Sequence, residues 1–201
     1  MKIGIDIDGV IWDYERLMYE YAKFYNKYIL KRNGIDHEEE FFYLDKFDWT
    51  EEEKNNFMGT FSMRATLQCG LIYFSKEGIN LLRELGLELI CITARGEYSN
   101  RIMNIVSERL TREGIFFDKI FWKSGNKIDV CKSENIDFMI DDSPNNCERL
   151  ANNGIKCIYL NTSNSRHLNH ENIIEMSSWL EVCDFFVNFV NKKINYSRIL
   201  N

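Results

Sequence analysis

Three short stretches of this chain, residues 87–92, 137–140 and 155–160, are mostly apolar, and each is flanked by a segment whose apolar residues recur every three or four positions. Apolar runs without strict alternation read as strands covered on both faces, and the flanking period reads as amphipathic helix. Strands that alternate with helices in this way build right-handed strand–helix–strand units and a parallel sheet with helices on both faces.

The same reading extends along the chain. Residues 2–7 form a short apolar strand, and from Asp13 a helical stripe of Leu17, Tyr21, Phe24, Tyr25 and Tyr28 runs to the stop at Asn33-Gly34. Helices are predicted over 75–85, closed by Gly86, over 98–112, closed by Gly114, and over 127–134. Strands are predicted over 87–93, 116–122, 137–140 and 155–160, with a short one over 173–176. Pro144 is the one proline and stands just inside a helix start, where a missing N–H costs nothing. Ser178-x-x-Glu181 reads as a capping box opening the last helix. Residues 13–72 break the alternation: after the first helix, over 36–72, acidic runs at 38–40 and 51–53 interleave with Phe41, Phe42, Phe47, Trp49, Phe57 and Phe61, and short helices are expected there. The expected fold class is therefore α/β, a doubly wound parallel sheet made by residues 1–12 and 73–201, with a small helical insert over 13–72 after the first strand.

Composition narrows the function classes. The formal net charge of −6 and pI near 5.2 argue against a protein that grips duplex nucleic acid through many phosphates. None of the six cysteines pairs with another in C-x-x-C spacing, and several lie in apolar runs, as buried thiols in a reducing compartment do. An acidic residue interrupts the first apolar run, unlike a signal peptide, and no apolar stretch approaches the ~20 residues that span a membrane. The expected location is the cytoplasm, with no membrane partner.

In a doubly wound sheet, ligands bind at the carboxyl ends of the strands. The first strand ends in Asp6-Ile7-Asp8-Gly9, a later one in Thr93-Ala94-Arg95-Gly96, and a third in Asp141-Asp142-Ser143-Pro144, with Lys127 opening a helix between the last two. Asp6 and Asp8, two apart on a strand, share a face, and two like charges there call for a cation. Hard oxygen ligands with little His or Cys nearby select Mg²⁺ over zinc. A carboxylate can attack phosphorus to give an aspartyl-phosphate, provided cations neutralise the phosphoryl oxygens. Gly9 lets the backbone turn sharply and approach an ion or phosphate. Asp8 is placed to give a proton to the leaving oxygen and later to take one from water.

Asp6-x-Asp8-Gly9-Val10, the apolar strand ending in Thr93, Lys127, and Asp141-Asp142 together resemble the four motifs of the haloacid dehalogenase-like phosphatase superfamily. The resemblance spans residues 3–146 and implies a Rossmann-like core. It implies Asp6 as nucleophile and metal ligand, and Asp8 as acid/base and as ligand through its carbonyl. Thr93, Ala94, Arg95 and Lys127 would bind the phosphoryl group, and Asp141 and Asp142 would complete the Mg²⁺ shell. Adjacent strand residues point oppositely, which favours Asp142 as the direct ligand with Asp141 in support. The insert between the first and second motifs and the Asp-Asp-Ser-Pro sequence are similar to the 5'(3')-deoxyribonucleotidase group, whose substrates are nucleoside monophosphates.

The insert is then expected to act as a cap that excludes water and contacts the leaving group. Most of its aromatics read as its own small core, with Trp12 the best candidate to stack on a base, and Arg64 and Arg95 candidates for a second anionic or sugar group. Three alternatives stand beside the nucleotidase reading: a phosphatase for another small phosphomonoester or a polynucleotide 3'-phosphate end, a receiver-like module that accepts a phosphoryl group without rapid turnover, and a binding protein on a decayed phosphatase core. A homodimer is compatible with each.

Overall fold

The computed structural model describes residues 1–96, 100–162 and 166–199. It divides into two units, Met1–Ile11 with Leu71–Asn201, and Trp12–Gly70. Along the chain come β1 (Lys2–Ile5), α1 (Tyr14–Phe24) running into a π-helical turn at Tyr25–Ile29, α2 (Glu51–Gln68), α3 (Ser75–Glu84), β2 (Glu88–Ile92), α4 (Asn100–Glu113), β3 (Lys119–Phe121), α5 (Lys127–Glu134), β4 (Phe138–Asp141), α6 (Pro144–Ala151), β5 (Cys157–Leu160), β6 (Ile173–Met176) and α7 (Trp179–Ile199).

In the first unit the six strands among the described residues form one parallel sheet in the order β3-β2-β1-β4-β5-β6. This is the doubly wound sheet that the alternating pattern predicts. The apolar runs fill its middle: Ile3 and Ile5 of β1, Leu89 to Ile92 of β2, and Met139 and Ile140 of β4 are all fully buried. The edge strands are shorter or more exposed, and β3 covers three residues where the sequence suggested seven, 116–122. Phe116 is exposed and outside the ladder, so an apolar residue before an edge strand carried the expectation too far. The predicted helix over 98–112 begins at residues outside those described, and α4 is seen from Asn100.

On one face, Ile90, Ile92, Met139, Cys157 and Tyr159 of the strands pack against Cys131 of α5 and Cys147 and Leu150 of α6. All six cysteines are buried and free of disulfides. On the other face, α3 packs against α7 closely enough that a Cβ at Gly78 would sit 2.5 Å from the Trp179 ring. Trp179 is fully buried, and its indole N–H donates to the Val10 carbonyl at 2.7 Å. The last helix thereby holds the turn that follows β1. Trp179→Phe keeps most of the packing and leaves that carbonyl unpaired, a loss of about 1–3 kcal/mol. Thermal unfolding is expected to show a midpoint several degrees lower, and an unchanged midpoint would mean that the indole bond contributes nothing. No helix among the described residues is long and apolar enough to cross a membrane.

The second unit departs from the sequence reading in three ways. The first helix does not continue to Asn33: it widens into the π turn at Tyr25–Ile29, so its inward stripe is Tyr14, Met18, Ala22 and Tyr25, while Phe24 and Tyr28 are exposed. The extra residue in the turn buries two neighbours, Tyr25 and Asn26, whose amide accepts from the Trp49 indole and donates to the Gly34 carbonyl. Residues 51–68 form one helix of five turns in place of several short ones, opened by a complete capping box between Thr50 and Glu53. Finally, Trp12 has no exposed surface and cannot stack on a base. Tyr25, Tyr43, Phe47, Trp49, Phe57 and Phe61 pack together as an aromatic core. Arg64 is exposed on α2.

Candidate active site

The strand order reverses between β1 and β4, because the chain winds out from β1 through β2 to β3 and then crosses to β4 on the other side. Loops leave such a switch point in opposite directions and open a crevice at the carboxyl ends of the two strands. Asp6 stands one residue beyond β1 and Asp141 is the last residue of β4, and the Asp6 N–H donates to the Ile140 carbonyl at 3.1 Å. Two carboxylates are thus set side by side by the sheet ladder itself.

Lys127 joins them. Its Nζ lies 2.7 Å from Asp6 Oδ2 and 2.6 Å from Asp141 Oδ2. As the first residue of α5 it sets a cation at the positive end of a helix, and the two carboxylates outweigh that disadvantage. Burial by itself would lower the Lys127 pKa, but Asp141 and Asp6 overcome it and hold the ammonium above its ordinary value. Burial also pushes the Asp6 carboxyl up to about 6, with Asp141 and Asp8 adding to the rise and Lys127 opposing it.

Asp141 is completely buried, and its oxygens are used within the protein. Oδ2 takes Lys127, Oδ1 accepts the Ser143 N–H at 2.9 Å, and the Asn146 amide reaches both oxygens at 3.3 and 3.4 Å. Ser143 caps α6, with Pro144 in its first turn, and Asn146 follows on that turn. Ser143 enters the sequence reading only within Asp141-Asp142-Ser143-Pro144 and Asn146 does not enter it; a helix start just beyond a strand end is the signal that points to both. The half-buried Asp142 carboxylate packs directly against Gly9, where a Cβ would lie 1.6 Å from Oδ2. Gly9 has φ +67°, which glycine adopts without strain. Asp6, Asp141 and Asp142 each offer an oxygen within 4.8 Å of the others.

The β2 loop completes the rim. Thr93 is buried, and its Oγ1 accepts the Arg95 N–H at 3.2 Å. Ala94 is exposed beside it. The Arg95 guanidinium turns onto Asp8, with Nε 2.7 Å from Oδ2 and Nη2 2.6 Å from Oδ1. The structure therefore brings Asp6, Lys127 and Asp141 into one contact group with Asp142 adjoining, and pairs Asp8 with Arg95 separately.

Asp6, Asp8, Asp141 and Asp142 outnumber the cations Lys127 and Arg95 by two charges. An all-oxygen set with that excess, with Gly9 letting the Asp142 carboxylate close in on it, suits a hard divalent cation.

The sequence matches no family model and no curated protein. Solved structures match its fold along nearly the whole chain. A haloacid dehalogenase-like family hydrolase from Streptococcus pneumoniae is 15% identical with a TM-score of 0.65, covering 92% of this chain and 97% of its own. A protein described as a predicted phosphatase, from Clostridium acetobutylicum, is 17% identical with a TM-score of 0.63, covering 93% and 98%. One described as a predicted phosphoglycolate phosphatase, from Haemophilus somnus, is 16% identical with a TM-score of 0.55, covering 80% and 84%. The fold is that of the haloacid dehalogenase-like hydrolases.

Proposed function

We propose that this chain is a Mg²⁺-dependent phosphomonoester hydrolase that carries the phosphoryl group on Asp6 and acts on nucleoside monophosphates. The observation that carries the reading is the Asp6 carboxylate at a sheet switch point, bound at 2.7 Å by the buried Lys127 ammonium and flanked by Asp141 and Asp142.

Asp6 attacks phosphorus, and the bond to the leaving oxygen breaks as the Asp6 O–P bond forms. Lys127, the Thr93 hydroxyl and the Ala94 main-chain N–H hold the phosphoryl oxygens. Asp8 gives its proton to the leaving oxygen. Water then attacks phosphorus, Asp8 takes the proton from it, and Asp6 is released as carboxylate with inorganic phosphate. Asp6, Asp142 and the Asp8 carbonyl would hold the metal ion, whose chemistry there is neutralisation of phosphoryl charge. Asp141, taken up by Lys127, Ser143 and Asn146, orients that set. The residue 12–70 unit is proposed as the cap that selects the leaving group. The nucleotide class rests on that insert's place between the first two motifs and on Asp141-Asp142-Ser143-Pro144.

The test is a hydrolysis screen with and without Mg²⁺ over deoxy- and ribonucleoside monophosphates, sugar phosphates and phosphorylated oligonucleotide ends. Release of phosphate from the nucleotides, dependent on the ion, is expected. Hydrolysis of sugar phosphates with nucleotides untouched would remove the nucleotide assignment, and no hydrolysis at all would remove the enzyme.

Gly9→Ala tests the ion independently of turnover. A Cβ would overlap the Asp142 carboxylate, and positive φ costs an alanine about 1–2 kcal/mol. The variant is expected to fold with a modestly lower unfolding midpoint and to lose the rise in midpoint that Mg²⁺ gives the unaltered protein. An equal rise in both would show that Asp142 does not hold the ion.

A further inference from the structure

We infer that Arg95 is a positioning residue for Asp8 rather than a substrate-binding cation, an assignment that rests on the phosphatase reading above. Its guanidinium meets Asp8 edge-on through Nε and Nη2, at 2.7 and 2.6 Å, so each carboxylate oxygen receives one N–H. A two-point fork fixes the carboxylate plane as well as its distance, which a single contact cannot do. The Arg95 side chain is 8% exposed, against 22% for Asp8, so the cation is turned inward and the carboxylate remains the more accessible partner.

The backbone of Arg95 is held as firmly as its side chain. Its N–H donates to Thr93 Oγ1 at 3.2 Å, and its carbonyl accepts the Lys123 N–H at 3.0 Å. Lys123 has φ +58°, a conformation that costs a non-glycine residue energy, and its Nζ bonds Asn100 Oδ1 at 2.9 Å. The next residue, Gly96, has φ +95°, and a Cβ there would meet Met103 of α4 at 2.7 Å. The loops after β2 and β3 are thus joined at the Arg95 carbonyl. With its plane fixed by Arg95, the more accessible Asp8 carboxylate is set to exchange the proton with the leaving oxygen and with water. Arg95 also links Thr93, expected on the phosphoryl oxygens, to Asp8, expected on the bridging oxygen, through one short covalent segment.

The experiment is steady-state kinetics of Arg95→Ala, Arg95→Lys, Asp8→Asn and Asp8→Asn/Arg95→Ala with a nucleoside monophosphate, beside the unaltered protein and Asp6→Asn. Misplacing a proton-transfer group by an ångström costs about 10²-fold, so Arg95→Ala is expected to lower kcat by that order with KM changed little. Arg95→Lys is expected to fall nearly as far, since an ammonium keeps the charge but cannot form the fork, and it provides the readout should the alanine variant not fold. In the Asp8→Asn background the alanine substitution is expected to cost nothing further. A raised KM with kcat retained, an equal further loss in the Asp8→Asn background, or full rescue by lysine would each overturn the inference. Inactivity of the unaltered protein toward every ester of the hydrolysis screen above would instead sink the phosphatase reading, and the role of Arg95 with it.

Discussion

Asp6→Asn is expected to abolish phosphate release, by on the order of 10⁴-fold or more, without loss of the fold. The amide has the same shape but is not a nucleophile, so no covalent intermediate can form and no other group described at the site can take its place. Stability should move the other way. A carboxyl raised from 3.8 to about 6 binds more protons in the folded than in the unfolded chain, so its contribution to stability falls as pH rises through that interval. At neutral pH and with chelator present, a neutral amide at position 6 removes that unfavourable charge from between Asp141 and Asp8. The unfolding midpoint of Asp6→Asn under those conditions is expected to equal or exceed that of the unaltered protein, an advantage that shrinks near pH 4. Circular dichroism and a phosphate-release assay on one preparation read both effects. Turnover near that of the unaltered protein would exclude an aspartyl-phosphate at Asp6.

Lys127→Met should damage fold and activity together. The side chain is 4% exposed and pairs with two buried carboxylates, and a methionine of similar length fills the space without charge. Removing one partner of a buried ion pair costs about 3–5 kcal/mol, because the remaining charge is left in a poor solvent. For a chain of this size each kcal/mol moves the midpoint by roughly 2–4 °C, so a drop of roughly 10 °C is expected in thermal unfolding. The double variant Lys127→Met/Asp141→Asn should recover part of that loss, since it removes one of the stranded charges. Both variants should be inactive, as the cation assigned to the phosphoryl oxygens is gone. A midpoint unmoved by Lys127→Met would show that the ammonium does not neutralise this cluster.

Much of the first unit was legible from residue order. The apolar runs that became β2, β4 and β5 are buried on both faces, and a run of that kind has one stable use in a chain that alternates with helices. Asp6, Asp8, Thr93, Lys127 and Asp141 were identifiable because each stands at or just beyond a predicted element end, which in this architecture is one rim of the sheet. The second unit was less legible. A π turn leaves no periodic mark in advance, so the exposed faces of Phe24 and Tyr28 were assigned inward and Asn26 was passed over. Thr50-x-x-Glu53 was a readable capping box, but neighbouring acidic runs obscured it. Trp12 follows the first motif closely in sequence, and its complete burial shows how little nearness along the chain says about which way a side chain faces.

By itself the sequence determined the alternating core, the carboxyl-end rim and which side chains gather on it, because hydrophobic period and element order are local properties that parallel sheets translate into place. Partnership on that rim was decided only by the tertiary structure. Arg95 and Asp8 lie 87 positions apart and meet as a fork, Lys127 bridges Asp6 to Asp141, and the Asp142 carboxylate fills the space that Gly9 leaves open. Which charge neutralises which depends on ångström distances and on burial, and those are set by how distant loops converge at the switch point of the sheet.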